Sequence, residues 1–366
     1  MIRRTLAVAV KELLQLRRDW RVVFTLVLMP VALVLIYGYA LSFDVEHIRL
    51  VIVDQDGSRA AREVARAFLS SGHFDHIGTT RDVRELDRWL DTGHAQVALV
   101  VPSGYGADLA AHRFTTLQLV LDGSDSQTAN TVLAYAQQIV ASVTPLVRVS
   151  GTGPALAAPL VWYNPDLASA RFLVPGLVAF ILMITAVIAT ALAVVREKER
   201  GTLESLRATP LMALELLIGK TLPYLVIASA AAAASLTLAW ALFDVPIRGS
   251  LGWLAVVTVL YLLGGLGWGV LISTLAETQQ VAFQVSLLSS MLPTMLLSGF
   301  IFPISSMPEA LQWISHIVPA RYFLVALRAI VLKGAGPEMW WQQVVGLVVY
   351  ATVVGSLATA RTVRSL

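Results

Sequence analysis

The 366-residue chain has no cysteine, and only 14% of its residues are charged. The first absence excludes disulfides, thiol catalysis and iron–sulfur clusters, and leaves the compartment undecided. The charge present nearly cancels, to a net of +3, and no basic patch with interleaved aromatics exists, so a nucleic-acid partner is not expected. The place where charge is missing says more. The central thirds of the long apolar runs carry no Asp, Glu, Lys or Arg, whereas carriers coupled to protons or ions bury such groups as a relay. What abounds is apolar: 57% of residues, with a mean hydropathy of +0.71. That is the composition of a polytopic α-helical membrane protein with one large polar insertion.

Residues 1–21 read as an amphipathic helix of the cytoplasmic membrane interface. Ile2, Leu6, Ala9, Leu13 and Leu16 fall near one face, with Arg3, Arg4, Lys11, Arg17, Arg18 and Arg21 elsewhere. Such a helix lays its apolar side on membrane lipids and turns its basic side to anionic headgroups. A mere basic flank before a span is the alternative. Residues 22–43 hold the first transmembrane helix, with Pro30 inside it. The basic residues before it place the N-terminus in the cytoplasm. No small-residue cleavage site follows, so the span is expected to stay as an anchor.

Residues 44–171 then form an extracytoplasmic α/β domain. Strands are predicted at 49–53, 73–77, 96–101 and 116–121, with helices at 58–70, 81–91 and 126–149. Residues 172–366 carry the remaining five of six transmembrane helices, at 172–195, 216–243, 251–275, 281–302 and 340–360. Arg361 and Arg364 place the C-terminus inside. Residues 303–339 should lie outside, yet they carry Arg321, Arg328 and Lys333, and 319–332 is too short and charged to span. An outer re-entrant or interfacial hairpin fits better, punctuated by Pro303, Pro308 and Pro319.

The densest charge lies at 196–220, between two apolar runs, where a membrane face is the inexpensive place for it. Arg196, Glu197, Lys198, Glu199 and Arg200 precede Gly201 as a hinge. Thr202 can cap a short helix with Leu203 and Glu204, and Thr209-Pro210 starts another. The pattern predicts a short helix across the bilayer surface, with its polar face toward a soluble partner. With no relay groups in the spans, energy for any transport would enter here.

Glu197-Lys198-Glu199-Arg200-Gly201-Thr202-Leu203-Glu204, Thr209-Pro210-Leu211 and Glu215-Leu216-Leu217-Ile218-Gly219-Lys220 resemble the cytoplasmic coupling segment of type 2 (ABC-2 type) ABC exporter permeases. The resemblance extends to Lys11-Glu12-Leu13-Leu14-Gln15 with Arg18-Asp19, to Tyr163-Asn164-Pro165 and Pro175-Gly176, and to Leu297-Ser298-Gly299-Phe300 with Phe302-Pro303. It spans nearly the whole chain, and the 44–165 region matches only in position and general character.

That resemblance implies ATPase-coupling roles for Glu197, Glu199, Arg200, Gly201, Thr202, Leu203, Glu204, Thr209 and Pro210, within a segment at 196–215. It implies a separate cytoplasmic ABC ATPase that holds ATP and Mg, so that this chain binds no cofactor and has no catalytic residue. It also implies a homodimer or a heterodimer with a homologous permease, in the bacterial cytoplasmic (inner) membrane. The cargo would be an amphipathic or hydrophobic drug or lipid-like molecule, in some members passed on with a periplasmic adaptor. In the proteins it resembles, the second and fifth spans face each other across the two-fold axis. On that ground Thr185, Thr190, Ser286, Ser290, Pro293, Thr294 and Ser298 are candidates for a translocation path. The serines and threonine at 286, 290, 294 and 298 form one small-residue stripe, for which packing within one subunit is the competing reading.

Other signals are weaker. Gly219-Lys220-Thr221 imitates the end of a P-loop, but Leu214 stands where its first glycine should and no strand precedes it. His73 and His76 lack a third metal ligand. Gly265 and Gly269 permit close helix approach, within the chain or across a dimer. A carrier driven by an ion gradient would need intramembrane acids. A membrane-anchored sensor or assembly scaffold would need neither so many spans nor the charged hinge.

Overall fold

The computed structural model describes the chain outside residues 1, 19, 41–46, 92–93, 112, 114, 122–125, 144–168, 202–211 and 366. It divides into two units, Phe43–Ala168 and Met1–Ser42 with Ser169–Leu366.

In the first unit, alternation along apolar strands builds a sheet covered on both faces. The strands are β1 (Ile48–Asp54), β2 (Phe74–Thr80), β3 (Val97–Val101) and β4 (Gln118–Leu121), in the order β2-β1-β3-β4. β1 pairs in parallel with β2 and β3, and β4 closes on β3 antiparallel. Successive side chains point to opposite faces. Leu50, Ile52, Leu99 and Val101 therefore meet Val64 and Phe68 of α3 (Arg59–Ser70) and Tyr135 of α6 (Ser126–Val143). Val51, Val53, Ala98 and Val100 meet Leu86 and Trp89 of α4 (Glu85–Asp91).

The helix predicted from 81 begins only at Glu85, because the Asp82 carboxylate accepts the Arg84 amide at 2.9 Å and holds a turn there. The short α5 (Tyr105–Ala110) has no counterpart in the prediction, since Gly104 and Gly106 conceal it. Of the helix predicted over 126–149, the part beyond Val143 lies outside the described residues, as do Tyr163, Asn164 and Pro165.

The second unit is helical: α1 (Ile2–Arg18), α2 (Trp20–Ala40), α7 (Ser169–Glu199), α8 (Ala213–Phe243), α9 (Leu251–Leu275), α10 (Gln279–Leu297), α11 (Glu309–Ile314), α12 (Pro319–Val331) and α13 (Trp341–Ser365). Among the described residues, α7, α8, α9, α10 and α13 contain stretches long and apolar enough to cross a membrane, and Leu26–Ala40 of α2 is a shorter apolar stretch. The region 303–339 is not extended: Glu309–Ile317 and Pro319–Val331 meet at 86°, with Pro319 at the first position of α12, where its missing N–H costs nothing.

Glycines set the close crossings. A Cβ on Gly269 would lie 2.4 Å from the Val187 carbonyl of α7, and one on Gly265 would touch Met183. Gly264 and Gly267 meet Tyr350 and Val354 of α13 instead. The Gly265–Gly269 pair thus serves packing inside this chain. Tyr261 of α9 stacks on Phe323 of α12, centroids 4.1 Å apart, and donates to the Ala179 carbonyl at 2.8 Å.

The Pro175-Gly176 and Leu297–Pro303 motifs prove to be two halves of one contact. Phe300 lies over Gly176, where a Cβ would be 2.1 Å from its ring. Gly299 turns the chain at φ 82°. Arg328 of α12 donates to the carbonyls of Gly299 (3.1 Å) and Phe172 (3.0 Å), with its guanidinium 3.8 Å above the Phe172 ring.

Candidate functional site

The last turns of α7 carry the charge-rich sequence to the end of the helix opposite Phe172. Gly201 ends it at φ 70°, a conformation that costs a glycine little, with its amide donating to the Lys198 carbonyl at 3.2 Å. From this short stretch, side chains reach four other elements.

Glu197 accepts from Lys11 of α1 at 3.1 Å and from Lys220 of α8. Lys220, only 4% exposed, also donates to Glu12 of α1 at 3.0 Å, and Lys11 donates to Glu12 at 3.1 Å. Two ammonium groups and two carboxylates therefore form one compact, neutral cluster. Such a group need not stabilise the fold more than apolar residues would, but removing one member strands a buried charge. Burial works against the Lys11 charge, yet the Glu12 and Glu197 carboxylates outweigh it and hold the ammonium above its ordinary value. The backbones also touch: a Cβ on Gly219 would lie 2.7 Å from Val8 and 2.9 Å from the Thr5 carbonyl.

Neighbouring residues turn elsewhere. Lys198 donates to the Ala276 carbonyl, at the C-terminal cap of α9, at 3.0 Å. Glu199 accepts the Gln279 amide at 2.7 Å, and the Gln279 side chain as well, at the first turn of α10. Each charge sits where the helix dipole favours it, a cation at a C-terminus and an anion at an N-terminus. Thus Glu197 ties α7 to α1 and α8, while Lys198 and Glu199 tie it to the turn between α9 and α10. Arg200 is exposed. Thr202, Leu203, Glu204, Thr209 and Pro210 lie outside the described residues.

Glu12, Lys11 and Lys220 were not singled out as a site from sequence. The available signal was Glu12 itself, a charge set among the apolar Ala9 and Leu16 on one side of α1. Both of those residues are buried, whereas Leu6, Val10, Leu13 and Leu14 are exposed, so the single predicted apolar face of α1 divides into two.

The candidate path residues point inward. Ser286, Ser290, Thr294 and Ser298 are all at most 2% exposed, on the buried side of α10, which packs on α7. Ser290 donates to the Ser286 carbonyl at 2.6 Å, Thr185 to that of Ile181 at 2.8 Å, and Thr190 to that of Ala186. Pro293 is half-buried. The outward face of α10 is instead apolar, with Val285, Leu288, Leu292 and Leu296 exposed.

The model of the ABC-2 family transporter protein matches residues 20–360. The chain is 34% identical, over its whole length and 98% of the relative, to the probable multidrug ABC transporter permease YbhS of Escherichia coli (strain K12). It is 33% identical to the probable multidrug ABC transporter permease YbhR of the same organism, over 96% of this chain and 95% of that one. ABC transporter G family member 20 of Dictyostelium discoideum is 25% identical over 92% of this chain, which spans only 47% of that protein. With the apolar helices, these relatives mark a multi-pass inner-membrane transport subunit, in a family that works with an ABC ATPase. The chain belongs to the ABC-2 family of transporter proteins, as a membrane permease.

Proposed function

We propose that this chain exports an amphipathic or hydrophobic, drug-like or lipid-like molecule, driven by a separate cytoplasmic ATPase that docks on residues 202–210. ATP and Mg belong to that partner. The charged ends of α7 and α8 and both chain termini then face the cytoplasm, and the Phe43–Ala168 unit lies outside. Two copies, or this chain with a homologue, enclose the path, with α7 and α10 at the seam. A periplasmic adaptor would be a further partner.

One observation carries this reading. The docking segment leaves from a helix end whose consecutive residues Glu197, Lys198 and Glu199 hold α1, α8 and the α9–α10 turn. A push on the segment therefore reaches every one of these elements through short, charged contacts. Packed helices with two discrete arrangements can turn that push into opening. The multidrug wording in the names of the relatives supports the cargo class.

The test separates docking from transmission. Glu204→Lys should lose the ATPase in a pull-down from membranes. Glu197→Gln should keep the ATPase bound yet lose most dye efflux. Loss of binding by both variants, or by neither, would count against the division of labour.

A further inference from the structure

The elbow between α11 and α12 holds an arginine in an unusual place. Tyr261, stacked on Phe323, lies about ten residues in from the start of α9, and Ala179, which accepts its hydroxyl, lies about as far in from the start of α7. At about 1.5 Å per residue, Phe323 sits roughly 15 Å inside both helix ends. Tyr322 packs on Gly346, closer to the end of α13. Arg321, beside them in sequence, therefore lies several residues in from the starts of α7, α9 and α13 rather than at their tips.

Arg321 is half-buried, and no carboxylate pairs with it among the described residues. Its Nη1 donates to the Gln312 carbonyl (3.1 Å) and the Ser315 hydroxyl, and His316 Nδ1, itself 3.0 Å from the Gln312 carbonyl, stands 3.1 Å away. Among the described residues, Nε and Nη2 have no hydrogen-bond partner. Arg328 of the same hairpin donates from Nη1 and Nη2 to two carbonyls and lies over a ring, and its buried Nε has no partner among the described residues. Around the elbow the surface is apolar and open: Trp313 is 75% exposed and Ile317 is 72% exposed. A cation set beside open apolar surface is costly unless an anion or water meets it.

We propose that the elbow binds an anionic phospholipid of the surrounding leaflet, its phosphate on Arg321 and its acyl chains along Trp313 and Ile317. A fixed guanidinium suits a phosphate because its planar donors pair with two oxygens at once. The site lies apart from the Glu197 cluster, and its reading does not rest on ATPase docking.

Brominated lipids test it directly, because bromine quenches nearby tryptophan. The full-length protein would be reconstituted in vesicles carrying brominated phosphatidylglycerol or brominated phosphatidylcholine, and Trp313 emission isolated as the difference from Trp313→Phe. The expected result is about fivefold stronger apparent association for phosphatidylglycerol, weakened in Arg321→Lys, which keeps the charge but not the paired donors, and reduced to parity in Arg321→Gln. Parity in the wild type, or a preference that survives Arg321→Gln, would overturn the proposal. No quenching by either lipid would also overturn it, since a second copy of the chain would then cover the elbow.

Discussion

Lys220 and Glu12 stand 208 residues apart in the chain, yet their side chains meet at 3.0 Å in a site nearly closed to solvent. The contact fastens α1 to the entrance of α8, and Glu197 draws the end of α7 into the same cluster. Replacing Lys220 by Met leaves Lys11 as the one cation in the cluster for both Glu12 and Glu197. The expected loss is about 3–5 kcal/mol, the usual cost of breaking a buried pair from one side. Glu12→Gln combined with Lys220→Met should recover much of it, since Lys11 and Glu197 can still pair. Unfolding midpoints of the purified protein in detergent check this. A double variant as unstable as the sum of both singles would mean the two residues are not coupled.

The Gly176–Phe300 contact predicts strict selection for glycine. Gly176→Ala places a methyl inside the Phe300 ring position and should destabilise the protein by about 1–3 kcal/mol. Adding Phe300→Leu should restore part of that loss. Equal midpoints for wild type and Gly176→Ala would contradict the packing.

Asp56 gives a pH dependence with a definite sign. The Ser58 hydroxyl, and then the amides of Gly106 and Gly104 (2.9 and 2.8 Å), hold its carboxyl below the ordinary value of 3.8. A depressed folded value means that the contribution is present above 3.8 and is lost as pH falls through the lower, folded value. Trp89 emission, isolated as the difference from Trp89→Phe, should show the Phe43–Ala168 unit weakening over that acid range. Asp56→Asn should flatten the dependence. An unchanged profile in the variant would assign the acid sensitivity to other carboxylates.

Much of this arrangement was legible in the sequence. The apolar runs announced α7, α8, α9, α10 and α13 because no water reaches the backbone in lipid and helices are the available answer. The Gly201 break at the end of α7 followed from residue type alone. The inward direction of the Ser286–Ser298 stripe did not. Periodicity separates the hydroxyl side of α10 from its apolar side, but it does not tell which of them packs inside the chain. The Glu12–Lys220 contact was equally hidden, since each residue alone reads as an ordinary interfacial charge. The hairpin was signalled by Arg321 and Arg328, but their different surroundings depend on tertiary packing.

Orientation is the next expectation. The chain is free of cysteine, so single cysteines report cleanly. One at Ser70, exposed near the end of α3, should react with an impermeant maleimide once the outer membrane is permeabilised. One at Ser205 should react only after the inner membrane is broken. The reverse pattern would invert the assignment of sides.

Contact between the ATPase and residues 202–210 is the central expectation, and photo-crosslinking in cells tests it. A benzophenone side chain introduced at Ser205, with the ATPase co-expressed, should trap a permease–ATPase adduct, whereas the same group at Ser70 should trap none. An ATPase adduct from Ser70 but not from Ser205 would contradict the coupling assignment.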